Sequence, residues 1–335
     1  MDNNKNRNDI IEVGKELLET KLVARTWGNI SAREDDDNFL ITPSGLDYMT
    51  MTPEDIVSVN ISTGEWNGNH RPSGERGVHK AAYEVFSDVN FVVHTHQTYA
   101  TAVALAGFES LDISEEEKEK LGGIATAAYG LPGTDKLTNA VKAAIVSGAH
   151  VVLMIHHGVL VLGKDREEAM NRTKLLEEIC ERNIKGRVDA GANDSVTDEA
   201  ALTVLKDQLK SQENQDNNIT EIVSTKELIC LSNISKGIVS QLDDVSQMIG
   251  AKVKVVSADK VAAALKKTNA VLVKGVGAVV KADNTDDVEA LSVLVQKMAV
   301  VNLHTRAYKK KAVIGLIDSV YMHYDYINRY SKQKK

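Results

Sequence analysis

From Asp9 the apolar positions Ile10, Val13, Leu17 and Leu18 recur at three- and four-residue intervals, predicting an amphipathic helix that ends near Leu22. The period then changes. TWGNISARE and FLITPSGLD read as two strands joined through the acidic run 35–38, which suits a solvated hairpin tip. IVSVNISTGEWNG reads as a second strand pair turned at a glycine. Residues 75–86 are helical in character, which puts Glu75 and His79 one turn apart on the same side. FVVHTH is an apolar strand, and TYATAVALAG is a helix closing at Gly107.

Beyond it, residues 109–120 are charged and helical in character, with Ser114 as the cap before three glutamates. ATAAYGLPGTDKL gives a short strand and a Pro/Gly turn, and Thr134 or Asp135 caps the helix KLTNAVKAAIVSG. AHVVLMIHHGVLVLG reads as a strand pair bent at Gly158, followed by the long periodic helix DREEAMNRTKLLEEICERNIKGR. Strands and helices alternate without a strict βαβ rhythm. The expected fold is therefore α/β, with a mixed central β-sheet flanked by helices.

Near 211–218 the chain turns polar (SQENQDNN), the composition of a linker, so domains of 1–215 and 216–335 are expected. The second stretch reads as a partial repeat of the first: AVLVKGVGAVVKADNTDDVEALSVLVQKMAVVN echoes VVLMIHHGVLVLGKDREEAMNRTKLLEEICERN. The overlay sets Gly275 opposite His156, Val276 opposite His157 and Gly277 opposite Gly158. The HxH strand and the segment around Glu75 have no counterpart between Asn217 and Asp259. A smaller, degenerate α/β lobe without catalytic groups is the expectation.

Composition narrows the functional classes. In 335 residues, 43% apolar and 26% charged, there is material for a substantial core. A formal charge of −7 gives no overall pull toward nucleic acid. The polar N-terminus does not match a signal peptide, and no apolar run approaches the roughly 20 residues of a membrane span. Cys180 and Cys230 sit far apart in apolar or helical contexts, as reduced buried thiols do. A cytoplasmic location with no membrane partner follows as an expectation.

The histidines carry the candidate chemistry. Residues i and i+2 of a strand share a face, so His94 and His96 can converge on one ion. A third imidazole from the HHG strand and the Glu75 carboxylate complete a donor set suited to Zn²⁺. His156 and His157 face opposite sides of a regular strand, and spacing alone does not choose between them. TPSG (Thr42, Ser44, Gly45), RPSG (Ser73, Gly74) and WGNIS (Gly28, Asn29) add hydroxyls and backbone N–H groups suited to a phosphate. None resembles a Walker loop or a dinucleotide fingerprint.

GNIS, TPSG, PSGE, HTH and HHG, in that order and spacing, resemble the class II aldolase/adducin family over roughly residues 9–189. The resemblance implies Zn²⁺ bound by His94, His96 and His157, which selects His157 over His156. It implies Glu75 as the acid/base beside the metal. Gly28, Asn29, Thr42, Ser44, Gly45, Ser73 and Gly74 would bind the phosphate of a small sugar phosphate. Its aldolases are homotetramers, so a homo-oligomer, tetramer or dimer, is expected.

Three departures stand out. Gly74 replaces a second family serine. The family's catalytic tyrosine ahead of YGLPGT has no match, Ser114 or a charged neighbour standing there, and Tyr129 reads as core packing. The C-terminal half-repeat is additional. The implied activity is aldol cleavage of a ketose 1-phosphate; the alternatives are a sugar-phosphate epimerase or dehydratase on the same scaffold, or an adducin-like scaffold protein. Epimerases of the family carry Asp where this chain has Glu75, which favours the aldolase.

Overall fold

The structure, a computed structural model, describes residues 3–107, 111–192, 194–210 and 218–329. The chain forms two compact units, Met1–Arg182 and Asn183–Lys332.

The first unit runs α1 (Asn3–Glu19), β1 (Asn29–Arg33), β2 (Asn38–Ile41), β3 (Val57–Asn60), β4 (Trp66–Asn67), α2 (Arg76–Val85), β5 (Phe91–Thr95), α3 (Thr98–Ala106), α4 (Glu115–Leu121), β6 (Ile124–Ala127), α5 (Asp135–Ile145), β7 (Val151–Met154), β8 (Gly158–Gly163) and α6 (Arg166–Ala192), within which the boundary falls. Its eight-stranded sheet has the order β4-β3-β2-β1-β5-β8-β7-β6. Only β6 and β7 run parallel; the other neighbours are antiparallel. This is the mixed sheet that the irregular alternation of elements implied.

Period-two alternation builds both faces. Phe39, Ile41 and Val92 pack with Val78, Ala82, Val141 and Ile145 from α2 and α5. Their strand neighbours Leu40, Phe91 and Val93 pack with Ile10, Val13 and Leu17 of α1 on the other side. Each such side chain removed from water contributes roughly 1.5–3 kcal/mol before entropy is charged against it. The consequence for function is that His94, two residues beyond Val92, faces α2.

Several elements differ from expectation. α1 starts at Asn3, ahead of the apolar rhythm, on a polar first turn in which Lys5 pairs with Asp9 (3.0 Å) and Asn6 Nδ2 donates to Arg33 O (3.0 Å). α4 starts after the expected Ser114 cap, whose hydroxyl accepts from Glu117 N–H while the Glu117 carboxylate accepts from Ser114 N–H. Residues 108–110, at the start of that expected helix, lie outside the described residues. The HHG strand pair is not bent at Gly158 but broken before it. β7 stops at Met154, residues 155–157 form a turn in which His157 N–H donates to Met154 O (3.1 Å), and β8 begins at Gly158. His156 holds a left-handed backbone in this turn, φ +70°, an unusual conformation for a residue with a Cβ.

The second unit contains α7 (Glu199–Lys210), β9 (Ile219–Val223), α8 (Lys226–Ile234), β10 (Gly237–Val239), α9 (Asp243–Met248), β11 (Lys252–Val256), α10 (Val261–Ala264), β12 (Ala270–Val273), β13 (Gly277–Ala282), α11 (Thr285–Ala307) and α12 (Leu316–Asn328). Its sheet has the order β10-β11-β12-β13-β9. Of the expected linker, residues 211–217 lie outside the described residues. α7, N-terminal to them, belongs to the second unit because Leu205 and Leu209 pack with Val261, Leu265 and Val271. The division therefore falls within α6 rather than near 215.

The four-strand run β9-β13-β12-β11 repeats β5-β8-β7-β6 in order and in strand direction. Register agrees as well: Thr95 lies opposite Val159 and Val223 opposite Ala278, and the sequence overlay makes Val159 and Ala278 equivalent. This corrects the expectation that the HxH strand has no counterpart. β9 fills its place, with Ile222 and Ser224 where His94 and His96 stand. Gly275, opposite His156, has φ +76°. Among the described residues no strand pairs with the other edge of β9, so nothing in this unit corresponds to β1–β4. No helix among the described residues is long and apolar enough to cross a membrane.

Candidate active site

Four backbone positions converge at one end of the first sheet. His94 is the penultimate residue of β5, between β1 and β8, opposite Asn29 on one side and Leu160 on the other. His96 lies just past the strand, at a junction secured from α6. There the Gln97 side chain donates to Thr173 O (2.7 Å), and the Glu177 carboxylate accepts from Tyr99 and Ala100 N–H (2.9 Å each). His157 comes from the β7–β8 turn. Glu75 occupies the residue ahead of α2, its N–H donating to Ser73 Oγ (3.2 Å).

One ligand atom from each of Glu75, His94, His96 and His157 lies within 4.8 Å of the others. His94 Nε2 is 3.0 Å from His96 Nε2 and 3.2 Å from Glu75 Oε2, and His157 Nε2 is 2.7 Å from Glu75 Oε1. Donors held about 2.1 Å from a tetrahedral ion are about 3.4 Å apart, so this spacing is close to that of a first coordination sphere. The chemistry of the donors agrees. The Val159 carbonyl lies 2.8 Å from His94 Nδ1, which must carry the proton, leaving Nε2 with a bare lone pair directed at the cluster. His94 and His157 are buried, whereas Glu75 and His96 are half-buried, so the cluster is open on one side. The residues fit a divalent cation.

Electrostatics point the same way. Burial alone would raise the Glu75 carboxyl, but the charges of His157 and then His94, with their hydrogen bonds, outweigh it and hold the group well below the usual carboxylate range.

The two adjacent histidines separate in the structure. His157 enters the cluster, while His156 presents its ring edge-on to Tyr129, centroids 5.2 Å apart. Tyr129 belongs to neither face of the core. It is half-buried, with Lys136 Nζ 5.7 Å from its ring centroid, which corrects the core-packing expectation.

The three small-residue turns gather beside Glu75. Pro43 and Pro72 form an antiparallel bridge, with Ser44 N–H donating to Arg71 O (2.9 Å) and Ser73 N–H to Thr42 O (3.1 Å). Thr42 Oγ1 accepts from Ile30 N–H (3.3 Å), tying the pair to β1. Thr42 and Ser73 are buried, whereas Ser44, Gly45 and Gly74 are partly or fully exposed at the rim. A Cβ on Gly45 or Gly74 would meet nothing within 4 Å, while one on Gly28 would come 2.6 Å from the His94 carbonyl oxygen. Gly28 therefore permits close approach of backbone to the metal-site strand, and the other two leave open space.

Asn29 departs from its expected place among the turns. Its Nδ2 donates to Glu75 Oε2 (2.9 Å), and its Oδ1 lies 2.5 Å from His79 Nε2. Beyond it, His79 Nδ1 lies 2.7 Å from Ser31 Oγ, and Ser31 Oγ lies 2.8 Å from the Tyr83 hydroxyl. Of this group, sequence spacing placed only His79 beside Glu75. The signal for the rest was present: 75, 79 and 83 recur every helical turn, and 29 and 31 share one face of a strand.

Comparison with known proteins places the site in context. Residues 8–184 match the sequence profile of the class II aldolase and adducin N-terminal domain. A 5-methylthioribulose-1-phosphate/5-deoxyribulose-1-phosphate aldolase from Rhodospirillum rubrum is 33% identical over 178 residues, 52% of this chain and 79% of its own. An L-fuculose phosphate aldolase from Methanococcus maripaludis is 31% identical over 178 residues, 52% of this chain and 94% of its own. A solved structure from Escherichia coli, whose description leaves aldolase, epimerase and decarboxylase open, matches with a TM-score of 0.50 at 24% identity, covering 54% of this chain and 88% of that one. That last likeness shows the fold alone.

Proposed function

The chain belongs to the class II aldolase and adducin family, and from that premise we propose that it cleaves a ketose 1-phosphate, of the fuculose-1-phosphate or deoxyribulose-1-phosphate kind, to dihydroxyacetone phosphate and an aldehyde. Class II aldolases are metal-dependent lyases, and Zn²⁺ is the ion that three imidazoles and a carboxylate suit best. The observation that carries this reading is the convergence of Glu75, His94, His96 and His157 within 4.8 Å. An adducin-like scaffold has no use for such a cluster. The relatives described above are named as a 5-methylthioribulose-1-phosphate/5-deoxyribulose-1-phosphate aldolase and an L-fuculose phosphate aldolase, which supports the substrate class.

His94, His96 and His157 would hold the ion, which when bound supplies Lewis-acid polarisation of the substrate's carbonyl and neighbouring hydroxyl oxygens. Glu75, half-buried beside the three imidazoles, moves the proton at the carbon next to the carbonyl. In cleavage it takes up, directly or through solvent, the proton given up by the hydroxyl that becomes the aldehyde carbonyl, and delivers a proton to the dihydroxyacetone phosphate carbon after the carbon–carbon bond breaks; synthesis runs these transfers in reverse. Ser44, Gly45 and Gly74 at the rim, with Gly28, Thr42 and Ser73 behind them, anchor the phosphate, fixing the reacting carbon relative to Glu75. The C-terminal unit, with Ile222, Ser224 and Val276 in place of the three histidines, carries no equivalent metal site and acts as a structural lobe of a cytoplasmic homo-oligomer.

The test is incubation of the zinc-loaded chain with a panel of ketose 1-phosphates, following dihydroxyacetone phosphate through a coupled dehydrogenase. Release of that product from at least one sugar is expected. Conversion of the sugar with its carbon skeleton whole would replace the aldolase by an epimerase or dehydratase.

A further inference from the structure

The hydrogen-bonded group behind Glu75 has a direction. The Asn29 amide nitrogen lies 2.9 Å from Glu75 Oε2 and donates to it, a carboxylate oxygen being an acceptor. Asn29 Oδ1 then faces His79 Nε2 (2.5 Å), and that nitrogen must carry the proton. His79 Nδ1 is consequently bare and accepts from the Ser31 hydroxyl (2.7 Å), whose oxygen in turn accepts from the Tyr83 hydroxyl (2.8 Å). Every proton is placed by the one before it. Reversing any single member sets two acceptors or two donors face to face in a buried place, at a cost of about 1–3 kcal/mol.

The elements that carry these groups are rigid. Asn29 and Ser31 are alternate residues of β1, an internal strand, and His79 and Tyr83 are one turn apart on α2; all four are buried. Buried groups that grip a reacting carboxylate from behind set its orientation, as supporting hydrogen bonds do for metal ligands.

We propose that His79 is a positioning residue for Glu75. Acting through Asn29, it fixes the amide so that Nδ2 rather than Oδ1 meets the carboxylate, and so holds Glu75 in the orientation that proton transfer requires. The assignment rests on Glu75 as the proton-transfer group. It makes Asn29 a part of the acid/base apparatus rather than simply of the phosphate turns.

Two substitutions of similar size divide the alternatives. In H79Q the amide N–H of the longer side chain still reaches Asn29 Oδ1. In H79N the shorter amide serves Ser31 but falls short of Asn29. With zinc-loaded protein, H79N is expected to lose about 10- to 100-fold in kcat, with KM within about threefold of wild type and zinc content unchanged. H79Q should stay within about threefold of wild type in both. Long-range ¹H–¹⁵N spectra of histidine-labelled wild type, with and without zinc, should show His79 protonated on Nε2 alone. An Nδ1-protonated ring overturns the proposal, as does an H79N enzyme equal to H79Q in kcat or one that loses zinc together with activity. If wild-type protein cleaves no ketose phosphate, the aldolase reading fails by itself, and the tautomer spectrum still decides whether the network has this direction.

Discussion

Gly158 and Gly277 stand at the same point of the two sheets: a Cβ on Gly158 would lie 2.3 Å from the Thr95 carbonyl oxygen, and one on Gly277 would lie 2.3 Å from that of Val223. Each is the first residue of its strand after the turn, β8 in one unit and β13 in the other. The environments differ in what else is near. A Cβ on Gly158 would also come 3.2 Å from His94 Cε1 and from His96 Cδ2. G158A and G277A should each destabilise their own unit by about 1–3 kcal/mol, the usual cost of forcing a methyl into a packed place. Only G158A should weaken zinc binding, by about tenfold or more. Competition with a chromogenic chelator measures it; full zinc affinity in G158A would show that this contact does not place the rings.

E75Q keeps the size of the side chain and removes its basicity. All three imidazoles remain, so about one zinc per chain should still be bound. Exchange of the dihydroxyacetone phosphate C3 proton into deuterated water should fall by about 10²–10⁴-fold, the range that a positioned acid/base contributes. Mass spectrometry of the recovered compound gives the rate. Undiminished exchange would take the proton-transfer role away from Glu75.

His79 also links stability to pH. Burial, with the charge of His94 adding to it and Glu75 opposing it, lowers its pKa from 6.5 to about 3. The unfolded chain therefore binds a proton at this site that the folded chain refuses. The contribution is fully present above about pH 6.5 and is lost as pH falls toward 3. Between pH 6.5 and 5 the loss amounts to roughly 2 kcal/mol. Urea titrations of metal-free wild type and H79Q at those two pH values should show that much extra acid sensitivity in the wild type. Equal slopes would mean that His79 charges without unfolding the protein.

Much of the first unit was legible because its strands alternate. Phe91 and Val93 against Val92 and His94 assign the two faces of β5, and the same rule aims His94 at α2. Order along the chain also marked Glu75 and the HHG turn. The break before Gly158 was hidden, since it depends on His156 adopting a left-handed backbone that only the surrounding packing enforces. β9 was hidden for a different reason. Strand register is kept by backbone pairing, which tolerates Ile222 and Ser224 as readily as His94 and His96, so the fold persisted where the chemistry did not. The network behind Glu75 joins residues 29, 31, 79 and 83, and no local pattern connects β1 with α2.

In the second unit, Lys297 Nζ of α11 lies 3.1 Å from Asp244 Oδ2 of α9, with each side chain only 2% exposed. Taking two charges out of water costs several kcal/mol per ion, and mutual attraction returns most of it only while both are present. K297M alone leaves a carboxylate buried beside a methionine and should destabilise the unit by about 3–5 kcal/mol. D244L alone should cost a similar amount. The double substitution replaces the pair by apolar groups of like volume and should fall within about 1 kcal/mol of wild type, or exceed it, giving a large coupling energy in the cycle. Both tryptophans, Trp27 and Trp66, lie in the first unit, so their fluorescence is a poor reporter here. Hydrogen exchange of peptides spanning β12 and β13 reads the second unit directly. A double variant no more stable than either single one would mean that Asp244 or Lys297 serves other buried partners, and that the pair is one link of a larger polar cluster.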